Sequence, residues 1–165
     1  MGYGIILARP LGLSLLQFGV IHLSKFDSHE LRLKKIFDRV LSILDEFSPD
    51  EVALEAPFYG KNVQSMLKLG RAQGVAMSAA LSRGIPIVEY APKKVKQSVT
   101  GNGNASKEQV ARMLMGLFKF KETPKLLDAT DALAVALCHH YQNGADKGKK
   151  GTWATFIKEN PGRVQ

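Results

Sequence analysis

The chain has 165 residues, the size of one globular domain, with 45% hydrophobic residues to build a core and no apolar run long enough to read as a membrane span. Met1-Gly2-Tyr3-Gly4 does not carry the charged start of a secretory signal, and the single cysteine, Cys138, excludes an internal disulfide, which suits a reducing cytoplasm. The net charge of +8 favours polyanionic partners.

Two strands are predicted over 4–8 and 15–23, with Pro10-Leu11-Gly12 as the turn of a hairpin. The segment 28–47 predicts a helix, because Leu33, Phe37, Val40, Leu44 and Phe47 fall on one stripe at spacings of three and four. Pro49 and Asp50 close it, and 51–55 is a short apolar strand ending in the carboxylate of Glu55. Pro57 to Gly60 breaks the chain before a second long helix over 62–83, stopped by Gly84-Ile85-Pro86. A strand over 87–90 and a short helix over 92–100 follow, the latter with Pro92 in its first turn. After the loop 101–104, Ser106 and Gln109 form a capping-box pattern that starts another helix. The last core helix is predicted over 128–141. A domain over 1–142 is therefore expected, followed over 143–165 by a flexible, Gly- and Lys-rich basic tail with an amphipathic patch at Trp153 to Ile157. A hairpin followed by alternating helices and strands implies an α/β domain, a mixed sheet flanked by helices. Sites in such sheets gather at the carboxyl ends of strands, where Glu55 stands.

Three acids stand out. Asp128 and Asp131 are three apart and share one face of a helix start, where the helix dipole favours negative charge. Such a pair is more often a cap and a solvated acid. Glu55 follows the apolar run Val52-Ala53-Leu54, where a lone carboxylate is costly without a positive partner such as a lysine. Together the three suggest a Mg²⁺ site, since hard divalent ions take carboxylate oxygens from separate elements and can activate water against a phosphodiester. The basic residues fit the same theme. Lys61, Lys68 and Arg71 form an acid-free run beside Glu55, and Lys94, Lys96 and Lys107 follow. In Phe58-Tyr59-Gly60-Lys61-Asn62, aromatics that can wedge between bases adjoin cations that hold phosphates, although Phe58 could equally pack in the core. Gly101-Asn102-Gly103 before Lys107 could cradle a phosphate but is more simply a turn ahead of a capped helix. Gly70, Gly74 and Ser78 recur every four residues, for a close contact either against the sheet or across a dimer axis. Cys138, His139 and His140 resemble metal ligands only superficially, because adjacent histidines point to different helix faces. No nucleotide-binding glycine motif follows a strand directly, which argues against an ATPase or dinucleotide enzyme.

The ordered set of Glu51-Val52-Ala53-Leu54-Glu55, Phe58, Lys61-Asn62, Leu67 to Gly74, Glu89-Tyr90-Ala91-Pro92, Val95-Lys96 and Asp128 to Ala134 resembles the RuvC family of Holliday junction resolvases, from Gly2 to about Tyr141. The resemblance implies an RNase H-like fold and a homodimer. It implies Mg²⁺-dependent paired nicks in a four-way DNA junction, with up to two ions per subunit, alongside the RuvA–RuvB branch-migration complex. Glu55, Asp128 and Asp131 match three metal carboxylates, Phe58 the aromatic near the junction centre, and Lys96 and Lys107 basic residues near the scissile phosphate. The family opens with a central strand ending in Asp-Pro-Gly, whose aspartate is a fourth ligand, whereas Gly2-Tyr3-Gly4 matches the start of the next strand and no acid precedes Asp27. The expectation is a fold whose first central strand is missing, Met1 being internal to a longer protein. It would be poorly stable or have its hairpin shifted to pair directly with the Glu55 strand, and it would hold fewer ions. The rival expectation is a junction-binding pseudonuclease that no longer cuts. A general RNA-binding or scaffold protein would leave the carboxylate set unexplained.

Overall fold

A computed structural model describes residues 1–10, 12–57, 62–119 and 127–147. Strand β1 (Gly2–Arg9) pairs antiparallel with β2 (Gly12–Val20), and backbone bonds between Met1 and Ile21 extend the ladder. The second strand thus lies about three residues earlier than the apolar pattern suggests, because pairing with β1 runs back to the turn at Gly12. Ile5 faces Gln17 while Ile6 faces Leu15, so Leu16 is the extra residue of a bulge and is 47% exposed.

Helix α1 (His29–Phe47) starts on the Ser28 side chain, which accepts from the Leu31 N–H. Its most buried residues are Ile36, Ile43 and Leu44, so the buried stripe is rotated from the predicted one, of which only Leu44 reaches the core. Helix α2 (Val63–Leu81) packs on α1, and Arg83 makes a two-pronged contact with Asp45 just beyond it, at 2.6 and 2.9 Å. Between these helices in sequence lies β3 (Val52–Glu55), paired in parallel with β4 (Ile87–Tyr90). Helices α3 (Pro92–Thr100), α4 (Lys107–Phe118) and α5 (Leu127–Lys147) complete the described chain. The capping box at α4 is formed in full: Ser106 accepts from the Gln109 N–H and Gln109 accepts from the Ser106 N–H.

The core lies where α3, α4 and α5 meet. Leu114, Leu133 and Cys138 are fully buried there, and Ile6, Leu15, Phe18 and Ala53 of the strands pack against them. Pairing is mixed and helix-flanked as the sequence implies, but among the described residues it is split into two two-stranded sheets, β1–β2 and β3–β4. The hairpin does not close up on β3. Helix α5 packs against both sheets and fixes the position of each. A β-carbon at Gly4 would lie 2.6 Å from Leu133 Cδ2, and one at Gly2 would lie 1.8 Å from the Asp128 carbonyl oxygen. The absence of side chains at both positions lets β1 press on α5, and a shift of one strand spacing, about 4.8 Å, would undo that contact. α5 also runs past the predicted end of the core helix to Lys147, because Asn143 donates to Glu51 at 2.6 Å and ties the added turn to the start of β3. No described helix is long and apolar enough to cross a membrane.

Candidate functional site

Glu55 is the last residue of β3, opposite Tyr90 of β4, and the Ala56 N–H donates to the Tyr90 carbonyl at 2.8 Å. Gln73 of α2 reaches across this strand end: its Nε2 donates to the Glu55 carbonyl at 3.2 Å and to Glu89 Oε1 at 2.6 Å. α5 runs antiparallel to β3, with Asp131 near Glu55 at one end and His139 and Asn143 on Glu51 at the other. The first turns of α5 therefore carry Asp128 and Asp131 to the carboxyl end of β3. Lys107, the first residue of α4, places its Nζ 2.6 Å from Asp131 Oδ2, and the Met1 amine lies 3.7 Å from Asp128 Oδ2.

The electrostatics follow from this crowding. Loss of surrounding water raises the Glu55 pKa above its ordinary value, and the Asp131 charge raises it further, against the pull of Lys107 and Lys96. The Lys107 pKa is raised, first by its hydrogen bond to Asp131 and then by the charges of Asp131, Asp128 and Glu55, against some desolvation. Glu55 and Asp131 thus repel each other and share nearby cations. Among the described residues, no three His, Cys, Asp or Glu side chains close on a single ion position.

The other predicted residues are placed unevenly. Lys96 of α3 faces the carboxylates, whereas Lys94, on the same helix, is exposed. Lys68 and Arg71 are exposed on α2, and Arg71 lies toward the start of α1. There it acts weakly on Glu30, whose pKa is lowered first by a backbone hydrogen bond and by Ser28. The Asn62 side chain is the N-cap of α2, accepting from the Ser65 N–H at 3.0 Å. Phe58 and Lys61 lie outside the described residues.

Two features escape sequence reasoning. Gln73 shows only as part of the longer string Leu67 to Gly74 that carries the family resemblance, with nothing to mark it as the side chain that grips Glu55. His139 reads as a poor metal ligand, yet its Nε2 lies 2.6 Å from Glu51 Oε2 and its Nδ1 2.9 Å from the Tyr90 hydroxyl. The spacing of His139 and Asn143, one helical turn, was the available signal, but their partner Glu51 is 88 residues from His139.

The family profile described as "Crossover junction endodeoxyribonuclease RuvC" matches residues 1–139, which take in every element from β1 into α5. The chain belongs to the RuvC family. A crossover junction endodeoxyribonuclease RuvC of Cytophaga hutchinsonii is 63% identical over 165 residues, covering 100% of this chain and 82% of the relative. That of Christiangramia forsetii is 54% identical, covering 100% of this chain and 87% of the relative. The solved structure "T. thermophilus RuvC in complex with Holliday junction substrate" superposes with a TM-score of 0.81 at 35% identity, over 88% of each chain. A second, "Thermus thermophilus RuvC structure", gives 0.78 at 34% identity over 88% of this chain and 89% of that one. The α/β arrangement is thus that of an RNase H-like nuclease, a type that depends on divalent metal ions.

The donor chemistry of this RuvC chain fits such an ion. Glu55, Asp128 and Asp131 are hard oxygen donors, the Glu55–Asp131 repulsion is relieved by a cation, and the Lys107 ammonium already contacts Asp131.

Proposed function

We propose that this chain is a structure-specific endonuclease that resolves four-way Holliday junctions by paired, symmetric nicks during homologous recombination and repair. The observation that carries the reading is the meeting of Glu55, Asp131, Lys107 and Lys96 at the carboxyl end of β3: acids in mutual repulsion, ringed by cations, in a basic chain. Glu55, Asp128 and Asp131 would hold Mg²⁺, which supplies an activated water and charge stabilisation at the phosphate. Lys96 and Lys107 hold the phosphate near the acids, while Lys94, Lys68, Arg71, Lys61 and Asn62 grip the flanking backbone and Phe58 supports the junction centre. Gln73 keeps Glu55 at the strand end.

Symmetric nicks require two copies of the site. The exposed face of α2 supports a homodimer: Val63 and Leu67 are 65% and 51% exposed, and nothing lies within 4 Å of a β-carbon built at Gly70 or Gly74. Of the two contacts open to the small-residue stripe, the dimer axis is the one this face favours. Work in the bacterial cytoplasm beside RuvA–RuvB follows from the family alone.

The test is cutting against binding. Glu55→Gln, Asp128→Asn and Asp131→Asn should each lower Mg²⁺-dependent junction cutting by about a hundredfold or more while leaving junction affinity within about threefold. Equal loss of both would sink the assignment. A second reading, binding without cleavage, is favoured by the absence of a closed three-acid ion position among the described residues. Cutting that arises only when a strand ending in Asp-Pro-Gly is added ahead of Met1 would support it, and robust cutting by the chain beginning at Met1 would refute it.

A further inference from the structure

Lys107 occupies a position that helix electrostatics disfavour. It is the first residue of α4, and the Ser106–Gln109 capping box fixes that start, so the ammonium sits at the positive end of the helix dipole. A cation there needs a compensating anion. It finds Asp131, with Nζ 2.6 Å from Oδ2, and feels Asp128 and Glu55 behind it. The contact is close, but the lysine is not packed in. Its side chain is 55% exposed against 33% for Asp131, so it can swing away on its four-carbon stem without opening a cavity. The oxygen that accepts from Lys107 belongs to one of the three acids assigned above to the metal. A divalent ion sharing that carboxylate would stand within a few ångströms of a unit positive charge, a repulsion that disfavours holding both cations on the one carboxylate.

We propose that Lys107 is a resident counter-cation which a divalent ion must displace from Asp131, so that metal loading and release of the Lys107 ammonium are one event. This rests on Glu55, Asp128 and Asp131 being the metal carboxylates. The exchange gives Lys107 two successive tasks. Without metal it neutralises Asp131 and limits the repulsion between Asp131 and Glu55. Once displaced, its exposed stem carries a free ammonium toward solvent, where a DNA phosphate can take it. Metal and phosphate then favour each other's binding through a single side chain. Lys96 does not share this role, since it acts on Glu55 only through its charge.

The test needs no cleavage. Binding of Mn²⁺ to the full chain without DNA is followed by loss of the free-ion electron paramagnetic resonance signal. Lys107→Met should bind Mn²⁺ more tightly than the unaltered chain by roughly threefold to tenfold, the scale of a half-exposed ion pair and a nearby like charge. Lys107→Gln serves as the second variant should Met disturb folding, and should shift the same way. Lys107→Arg, which keeps a cation on Asp131, should stay close to the unaltered chain. Asp131→Asn should weaken binding with Lys107 present or replaced. Equal or weaker binding by both neutral variants, with Asp131→Asn still costing affinity, would overturn the exchange and leave the metal site standing. If the unaltered chain, Lys107→Met and Asp131→Asn are all alike, including no binding by any, the metal assignment falls and the exchange with it.

Discussion

The seat of the hairpin on α5 can be measured by a double-mutant cycle on Gly4 and Leu133. Leu133 is fully buried, so Leu133→Ala should cost about 3 kcal/mol in lost transfer energy and residual cavity. A β-carbon at Gly4 would meet Leu133 Cδ2 at 2.6 Å, Cγ at 2.9 Å and the Leu133 backbone nitrogen at 3.2 Å. Gly4→Ala should therefore cost about 1–3 kcal/mol from overpacking, lessened by about 0.5–1 kcal/mol because alanine suits a strand better than glycine. Two of the three close contacts are with atoms that Leu133→Ala removes. In the double variant the added methyl enters the cavity, and only the backbone contact remains tight. The double variant should lie near 3 kcal/mol below the unaltered chain, a coupling of about 1–2 kcal/mol. Urea unfolding with constant slope is the assay, read at the midpoint. Additivity within about 0.5 kcal/mol would refute the reasoning, because β1 would then not rest on Leu133 and would not set the position of the helix that carries Asp128 and Asp131.

The raised pKa of Glu55 predicts the sign of a second effect. Its folded value lies above the ordinary 4.5, so the ionised group opposes folding, and stability is lost as pH rises from 4.5 through the folded value. Glu55→Gln should match the unaltered chain in stability at pH 4 and exceed it at pH 7, as read by thermal melts; a variant that is less stable at pH 7 than at pH 4, relative to the unaltered chain, would contradict this. Gln73→Leu removes a donor shared by the Glu55 carbonyl and the Glu89 carboxylate, and should cost about 1–2 kcal/mol and slow cutting more than it weakens junction binding. Unchanged cutting at full occupancy would show that Glu55 holds its place without it. Junction affinity should fall with salt at a log–log slope near −5 if about six phosphates are neutralised, and a flat titration up to physiological salt would exclude a phosphate-dominated interface.

What could be read from the sequence was local. Helix starts at Ser28, Asn62 and Ser106 are written in side chains that cap N–H groups within three residues, so no distant partner is needed to find them. The strand ending at Glu55 and the paired aspartates of α5 are equally legible, and their meeting is expected from strand-end and helix-start placement together with the family likeness. What tertiary structure decided depends on partners far apart in the chain. Gly2 and Gly4 are ordinary glycines until α5 lies against them, and that contact keeps the hairpin from pairing with β3. The Gly70–Gly74 face could be internal or external by sequence, and the packing of α2 leaves it open. His139 finds Glu51, and Gln73 finds Glu55 and Glu89, only because α5 runs antiparallel to β3 and α2 crosses the strand ends. Lys107 is a plain helix-start lysine until Asp131, 24 residues on, is folded against it. A periodic pattern or a cap reports on its own backbone, whereas charge pairing across elements exists only after the core has set their spacing.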